Sequence, residues 1–134
     1  MDQFIESIFS LDPSIRYVAT YLEGVHLSAQ RAGLDGASSS ESDKFEVLIV
    51  NPTLLKLVTQ RGNIDCGGAN WVVIRYGNFF ELVIPVPRGH VSIGIEPSED
   101  PFKLAQKAVA HVEKGTQATV GGGLSIQSPN QIPL

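Results

Sequence analysis

The side chains with the chemistry to catalyse or to hold a metal are few and scattered. Cys66 stands in "DCGG", where the Asp65 carboxylate and the carbonyl end of the preceding helix both favour the thiol over the thiolate that a nucleophile needs. That setting predicts a structural or merely tolerated cysteine. His26, His90 and His111 are far apart on three elements, with none of the i, i+4 or CxxC-type spacings that build a zinc site, and read as solvated or hydrogen-bonded histidines. "GGAN" and "GGG" lack the Lys-Ser/Thr and the strand-to-helix setting of a phosphate-binding loop, so they read as turn and linker. Glu81 and Glu96 could be paired acids, but charges on strands more often face solvent or blunt an edge. No catalytic, cofactor-binding or metal-ligating residue is assigned.

Trp71, Arg75 and Tyr76 form a different kind of group. Aromatic and Arg side chains dominate the energetics of protein interfaces, and these three lie in "NWVVIRY", a strand expected at the edge of a sheet. A half-buried edge strand accounts for them equally well, although an unpaired edge of this composition invites association unless something covers it.

The 134 residues fit one domain, large enough to bury a core without disulfides or metal. A net charge of -4 argues against DNA or RNA as a partner. The single Cys66 excludes an intramolecular disulfide. The opening "MDQFIESIFSLDP" has acids where a signal peptide has a basic region, and no apolar run approaches the ~20 residues that span a bilayer. A cytoplasmic protein that does not engage membranes is the expectation.

The elements that would position these residues are marked by periodicity and turn chemistry. "DQFIESIFSL" sets Phe4, Ile5, Ile8, Phe9 and Leu11 on one helical face, with Pro13 as the stop. Ile15 to Leu22 and Val25 to Gln30 read as a β-hairpin turning at Glu23-Gly24. "AGLDGASSSESD" is a loop whose Ser40 or Ser42 can cap the next helix. "NWVVIRYG", "FFELVIPV" and "HVSIGIE" read as an antiparallel meander with Gly77-Asn78 and Pro87-Arg88-Gly89 as turns. Its middle strand is apolar on both faces, which predicts a sheet covered on both sides. A last helix starts at Asp100-Pro101 and carries Phe102, Ala105, Val109 and Val112 as its apolar stripe, widened by Leu104 and Ala108. The domain is therefore set at residues 1–114, and 115–134, rich in Gly and without charge, reads as a flexible tail.

Between hairpin and meander lies "DKFEVLIVNPTLLKLVTQRGN", from Asp43 to Asn63, apolar all round the wheel. At ~100° per residue, Phe45, Leu48, Ile49, Pro52 and Leu55 fall on one side and Val47, Val50, Leu54 and Leu57 roughly opposite, with Gly62 as the C-cap. Two stripes call for two partners, a sheet and either a second helix or another subunit. The alternative is a kink, in which Asn51 caps a new helix with Pro52 at its first position.

The order helix, hairpin, long helix, three-strand meander, helix describes an α+β fold: a five-stranded antiparallel sheet flanked by helices on both faces. Together with "RYVATYLEGVHLSAQR", "VNPTLLKLVTQRGN" and "GHVSIGIE", it resembles the roadblock domain of the dynein light chain and bacterial roadblock families, over roughly residues 2 to 114. The Ser-rich loop and the Asn-Pro within the helix depart from that pattern. The resemblance implies a non-catalytic, cofactor-free homodimer joined through the long helix and the strand after it, which here assigns Val47, Val50, Leu54, Leu57, Trp71, Val73, Arg75 and Tyr76 to the interface. It also implies a scaffold or regulatory role toward a Ras-like small GTPase or another NTPase. The alternative from a different class is a small-molecule sensor, since related sheet-plus-helix folds of the profilin and PAS type hold ligands.

Overall fold

The computed structural model describes residues 2–34 and 38–120, with side chains as far as Thr116. Helix α1 (Gln3–Phe9) is started by Asp2, whose carboxylate accepts from the backbone N–H groups of Phe4 and Ile5 at 2.9 and 3.1 Å, and it buries Ile5 and Ile8. Strands β1 (Ile15–Leu22) and β2 (Val25–Gln30) follow. Their turn places both Glu23 (φ 50) and Gly24 (φ 80) in the left-handed region. That conformation suits the right-handed twist of a two-residue hairpin, and only the glycine adopts it freely. Glu23 is held there by the neighbouring turn, since its N–H donates to the Arg88 carbonyl at 2.9 Å and its carboxylate meets the Arg88 guanidinium at 3.1 Å.

Strands β3 (Val72–Arg75), β4 (Phe80–Val86) and β5 (Gly89–Ile95) complete an antiparallel sheet in the order β2-β1-β5-β4-β3. Alternation along the strands assigns the two faces. One face carries Val18, Leu82, Ile84, Val91 and Ile93, which pack with Ile5 and Ile8 of α1 and with Leu104, Ala105, Ala108 and Val112 of α4 (Pro101–Val120) into a single core. The opposite face carries Tyr17, Ala19, Glu81, Val83, His90 and Ser92 beneath the long helix. The sheet is thus covered on both sides.

The long helix runs without a break as α2 (Ser40–Phe45), a π turn (Glu46–Val50) and α3 (Asn51–Asp65). Pro52 has no N–H for the Leu48 carbonyl, and its ring would crowd an α-helical turn. The wider π turn, closed by an i→i−5 bond from the Asn51 N–H to the Glu46 carbonyl, accommodates the proline with helical backbone continuous through it. The backbone stays right-handed helical through Val50 and Asn51, so Asn51 is not a cap. It is fully buried and faces His90 at 3.3 Å.

Two stripes exist, but their membership differs from a uniform 100° wheel. Val47, Asn51, Leu55, Thr59 and Gly62 face the sheet, while Phe45, Ile49, Leu57 and Ile64 are each more than half exposed. The π turn spends more residues per turn than an α turn, which cancels the drift of an i, i+4 row and keeps each row on one line.

Four local expectations are also corrected. Ser39, rather than Ser40 or Ser42, caps α2, its hydroxyl accepting from the Ser42 N–H at 3.1 Å. Gly62 does not end the helix: a Cβ there would lie 2.5 Å from the Gly68 carbonyl oxygen, and the left-handed residues that turn the chain are Gly67 and Gly68. On α4 the Asp100 carboxylate accepts from the Phe102 N–H at 2.9 Å, but the Phe102 ring turns outward, against Trp71 with 5.9 Å between centroids. That helix runs to Val120, six residues past Lys114, because Gly115 leaves room for the Phe4 ring and Thr116 is buried with its hydroxyl donating to the Val112 carbonyl. The expected tail from 121 on, and residues 35–37 of the Ser-rich loop, lie outside the described residues.

Candidate functional site

The residues assigned to an interface fall into three settings. Leu57 belongs to the exposed stripe with Phe45, Ile49 and Ile64, and Val50 and Leu54 form its half-buried shoulder. Val47 does not: it is 0 % exposed, packed on the sheet, and has no surface left to offer. On β3, Trp71, Val73 and Arg75 project toward the α4 side, where Val73 joins the core margin and the Arg75 guanidinium lies over the Phe80 ring at 4.9 Å. Tyr76 projects the other way and is engaged within the chain, its hydroxyl donating to the Glu46 carboxylate at 2.7 Å.

Among the described residues, the backbone of β3 is open along its outer side. The Tyr76 N–H donates to the Phe79 carbonyl at 2.9 Å, and alternation in an antiparallel ladder then turns residues 72, 74 and 76 toward β4 and the N–H and C=O groups of Val73 and Arg75 outward. An apolar helical stripe and an unpaired strand edge therefore occur in one molecule, and each is the kind of surface that soluble proteins cover or blunt.

A second feature lies beneath the π turn. Glu81, on the face of β4 that looks toward the long helix, is 2 % exposed. Burial, reinforced by a hydrogen bond to the Glu46 carboxyl and by the charges of Glu46 and Asp43, raises its pKa well above the carboxylate range. The group is held as the neutral acid and donates to Glu46. Tyr76 is raised by its own burial and by the bond to Glu46, and Tyr17 by burial and the Asp43 charge. Charges on strands more often face solvent or blunt an edge, and Glu81 does neither. Alternation does place it opposite the Leu82 face, but the dryness of its own face depends on a helix that arrives from 35 positions earlier in the chain. Glu96, the other acid singled out, pairs instead with the buried Arg16 at 3.1 Å.

The histidines are less dispersed than their spacing suggests, because His26 and His90 occupy the two strands flanking β1 and both stand opposite Tyr21. His90 is pushed down to about 4 by burial and by the His26 charge. His111 is 2.7 Å from the Ser7 hydroxyl and ties α4 to α1. Cys66 is exposed and its thiol donates to Asp65 at 3.3 Å. Among the described residues no group of three or more His, Cys, Asp or Glu side chains could hold a metal, and no helix is long and apolar enough to cross a membrane.

No protein-family model matches the sequence, and no curated protein does. Solved structures do match. A Roadblock/LC7 domain from Streptomyces avermitilis superposes with a TM-score of 0.64 over 90% of this chain and 98% of its own, at 13% identity. MglC from Myxococcus xanthus superposes with a TM-score of 0.53 over 87% of this chain and 95% of its own, at 9% identity. The fold is roadblock-like. Within this roadblock-like domain, the exposed stripe lies on the long helix and the open edge on the strand that follows it, the two elements through which the resemblance implied assembly.

Proposed function

We propose that the chain is a non-catalytic, roadblock-like module that pairs with a second copy of itself and, as a pair, serves a protein partner as a scaffold or regulator. The observation that carries this is the outer stripe of Phe45, Ile49, Leu57 and Ile64. From Ile49 to Ile64 it extends about 22 Å at 1.5 Å per residue. Burying each such side chain is worth about 1.5–3 kcal/mol, enough together to offset much of the association entropy.

A second copy suits this surface because the stripe and the β3 edge can both be made self-complementary by one twofold axis. The outward N–H and C=O groups of Val73 and Arg75 would pair with their symmetry mates while stripe meets stripe. For the partner of the pair, the resemblance points to a Ras-like small GTPase or another NTPase.

Light scattering at tens of micromolar tests the pairing. Wild type is expected at twice the 14.4 kDa chain mass. The double variant Ile49→Glu, Leu57→Glu is expected at the single mass with an unchanged circular-dichroism spectrum, since both positions are exposed within one chain and buried only between two. A wild type at the single mass overturns the proposal.

A further inference from the structure

Helix α2 buries none of its residues, and a cleft runs beneath it. An outer chamber of about 380 Å3 lies between α2, the π turn and the β3–β4 turn, with Phe45, Glu46, Tyr76 and Phe79 on its walls. A narrow neck walled by Tyr17, Phe79, Glu81 and Gly94 lies beside it, with Ser38, Asp43 and Phe79 lining both. Beyond the neck, toward β2, a second chamber of about 370 Å3 shares Tyr17, Gln30 and Asp43.

Four acids face this cleft from three elements: Glu41 and Asp43 of α2, Glu46 of the π turn and Glu81 of β4. Two cations also line it. Arg16, at the neck, spans to Glu96 on its other side, and Lys44 lies at the far chamber. The decisive detail is Glu81. Glu81 lines the neck, and its Oε1, itself buried, has no hydrogen-bond partner among the described residues. A buried acceptor left open in this way carries a desolvation cost that a donor arriving from the cleft would remove.

We propose that this cleft binds a small organic cation, an alkylammonium or guanidinium group on an aliphatic stem, with Glu46 and Glu81 as its counter-charges. The charged head donates to Glu81 Oε1 and to Glu46, while the stem lies in the outer chamber against Phe45, Val50 and the Tyr76 ring. The rings contribute attraction to a desolvated cation. The chamber volume falls at the lower end of small-molecule sites. Cation entry favours the ionised form of Glu81, so the proton that it holds leaves to solvent as the ligand binds.

Putrescine and agmatine are the probes, with 1,4-butanediol as the uncharged counterpart of the diamine. In a 15N-correlation titration of the full chain, the two amines are expected to shift the amides of Glu46, Tyr76, Phe79 and Glu81 saturably, and the diol is not. Calorimetry just above the ordinary carboxyl range, in buffers of different ionisation enthalpy, is expected to show proton release. Glu81→Gln, neutral and of similar volume, should weaken binding at least about tenfold and abolish the proton release, because it loses a charge-assisted bond. Tyr76→Phe, at the half-buried rim, carries the same test should the buried variant misfold, and is expected to weaken binding by loosening Glu46. Absence of a saturable shift at about 10 mM probe, where even a millimolar site is filled, overturns the proposal. So does equal affinity in the variants.

Discussion

Glu81 and His90 are both 2 % exposed beneath the same helix, and their protonation pulls stability in opposite directions. Glu81 has its folded-state pKa raised, so the native chain binds the extra proton and stability is lost as pH rises above the ordinary carboxyl range. His90 has its pKa lowered from 6.5 to about 4, so the unfolded chain binds the extra proton and stability is lost as pH falls through that interval. The two slopes offset each other between about pH 4.5 and 6.5. In thermal melts across this window, the advantage of Glu81→Gln over wild type should grow with rising pH, and the deficit of His90→Asn should also grow, by about 3 kcal/mol at most. A difference from wild type that is constant with pH would show that neither group changes its proton on unfolding. Little of this was readable from the residues alone. Period-two alternation tells which side of a strand a residue takes, but whether that side is dry is decided by a helix elsewhere in the chain.

The elements themselves were far easier to read, because their limits are set by local chemistry. The hairpin strands fall where alternation and Gly24 put them, and the meander turns fall at Gly77-Asn78 and Pro87-Arg88. What could not be read was the phase of the long helix, since a π turn leaves no mark in a hydrophobic wheel, and so Val47 was placed on the wrong face. Gly62 was misread for a related reason: its role is close approach to Gly68, a contact that no local pattern records. Gly62→Ala should therefore cost about 1–3 kcal/mol, as an overpacked site does, seen as a lower denaturant midpoint at unchanged slope. A helix propensity gain without that loss would mean that the segment after Asp65 yields. The end of α4 gives a further comparison. A chain cut after Lys114 loses the buried Thr116 and the seat of Phe4 against Gly115, so it should melt below a chain cut after Val120. Identical melting curves would return the domain limit to Lys114.

At the scale of the whole molecule, the sheet has two edges left open by the described residues, β2 and β3, and they are unlike. β3 is four residues long, flanked by Trp71 and Tyr76, and its outward amides at Val73 and Arg75 report directly on whether it is used. Their hydrogen exchange should slow as protein concentration rises through the range where mass doubles, while amides on β2 should not change. Fast exchange at every concentration would confine any pairing to the helices. β2 carries Val25 and Leu27 exposed at the other edge, and that asymmetry has a consequence for growth. Joining like edge to like gives a closed ribbon of two chains whose ends are both β2 and which stops there. Joining β2 of one chain to β3 of the next leaves a fresh, identical end after every addition, and such a contact propagates as a filament unless its rotation closes a ring. By this geometry a discrete pair requires that β3 join β3, and a filament that β3 join β2.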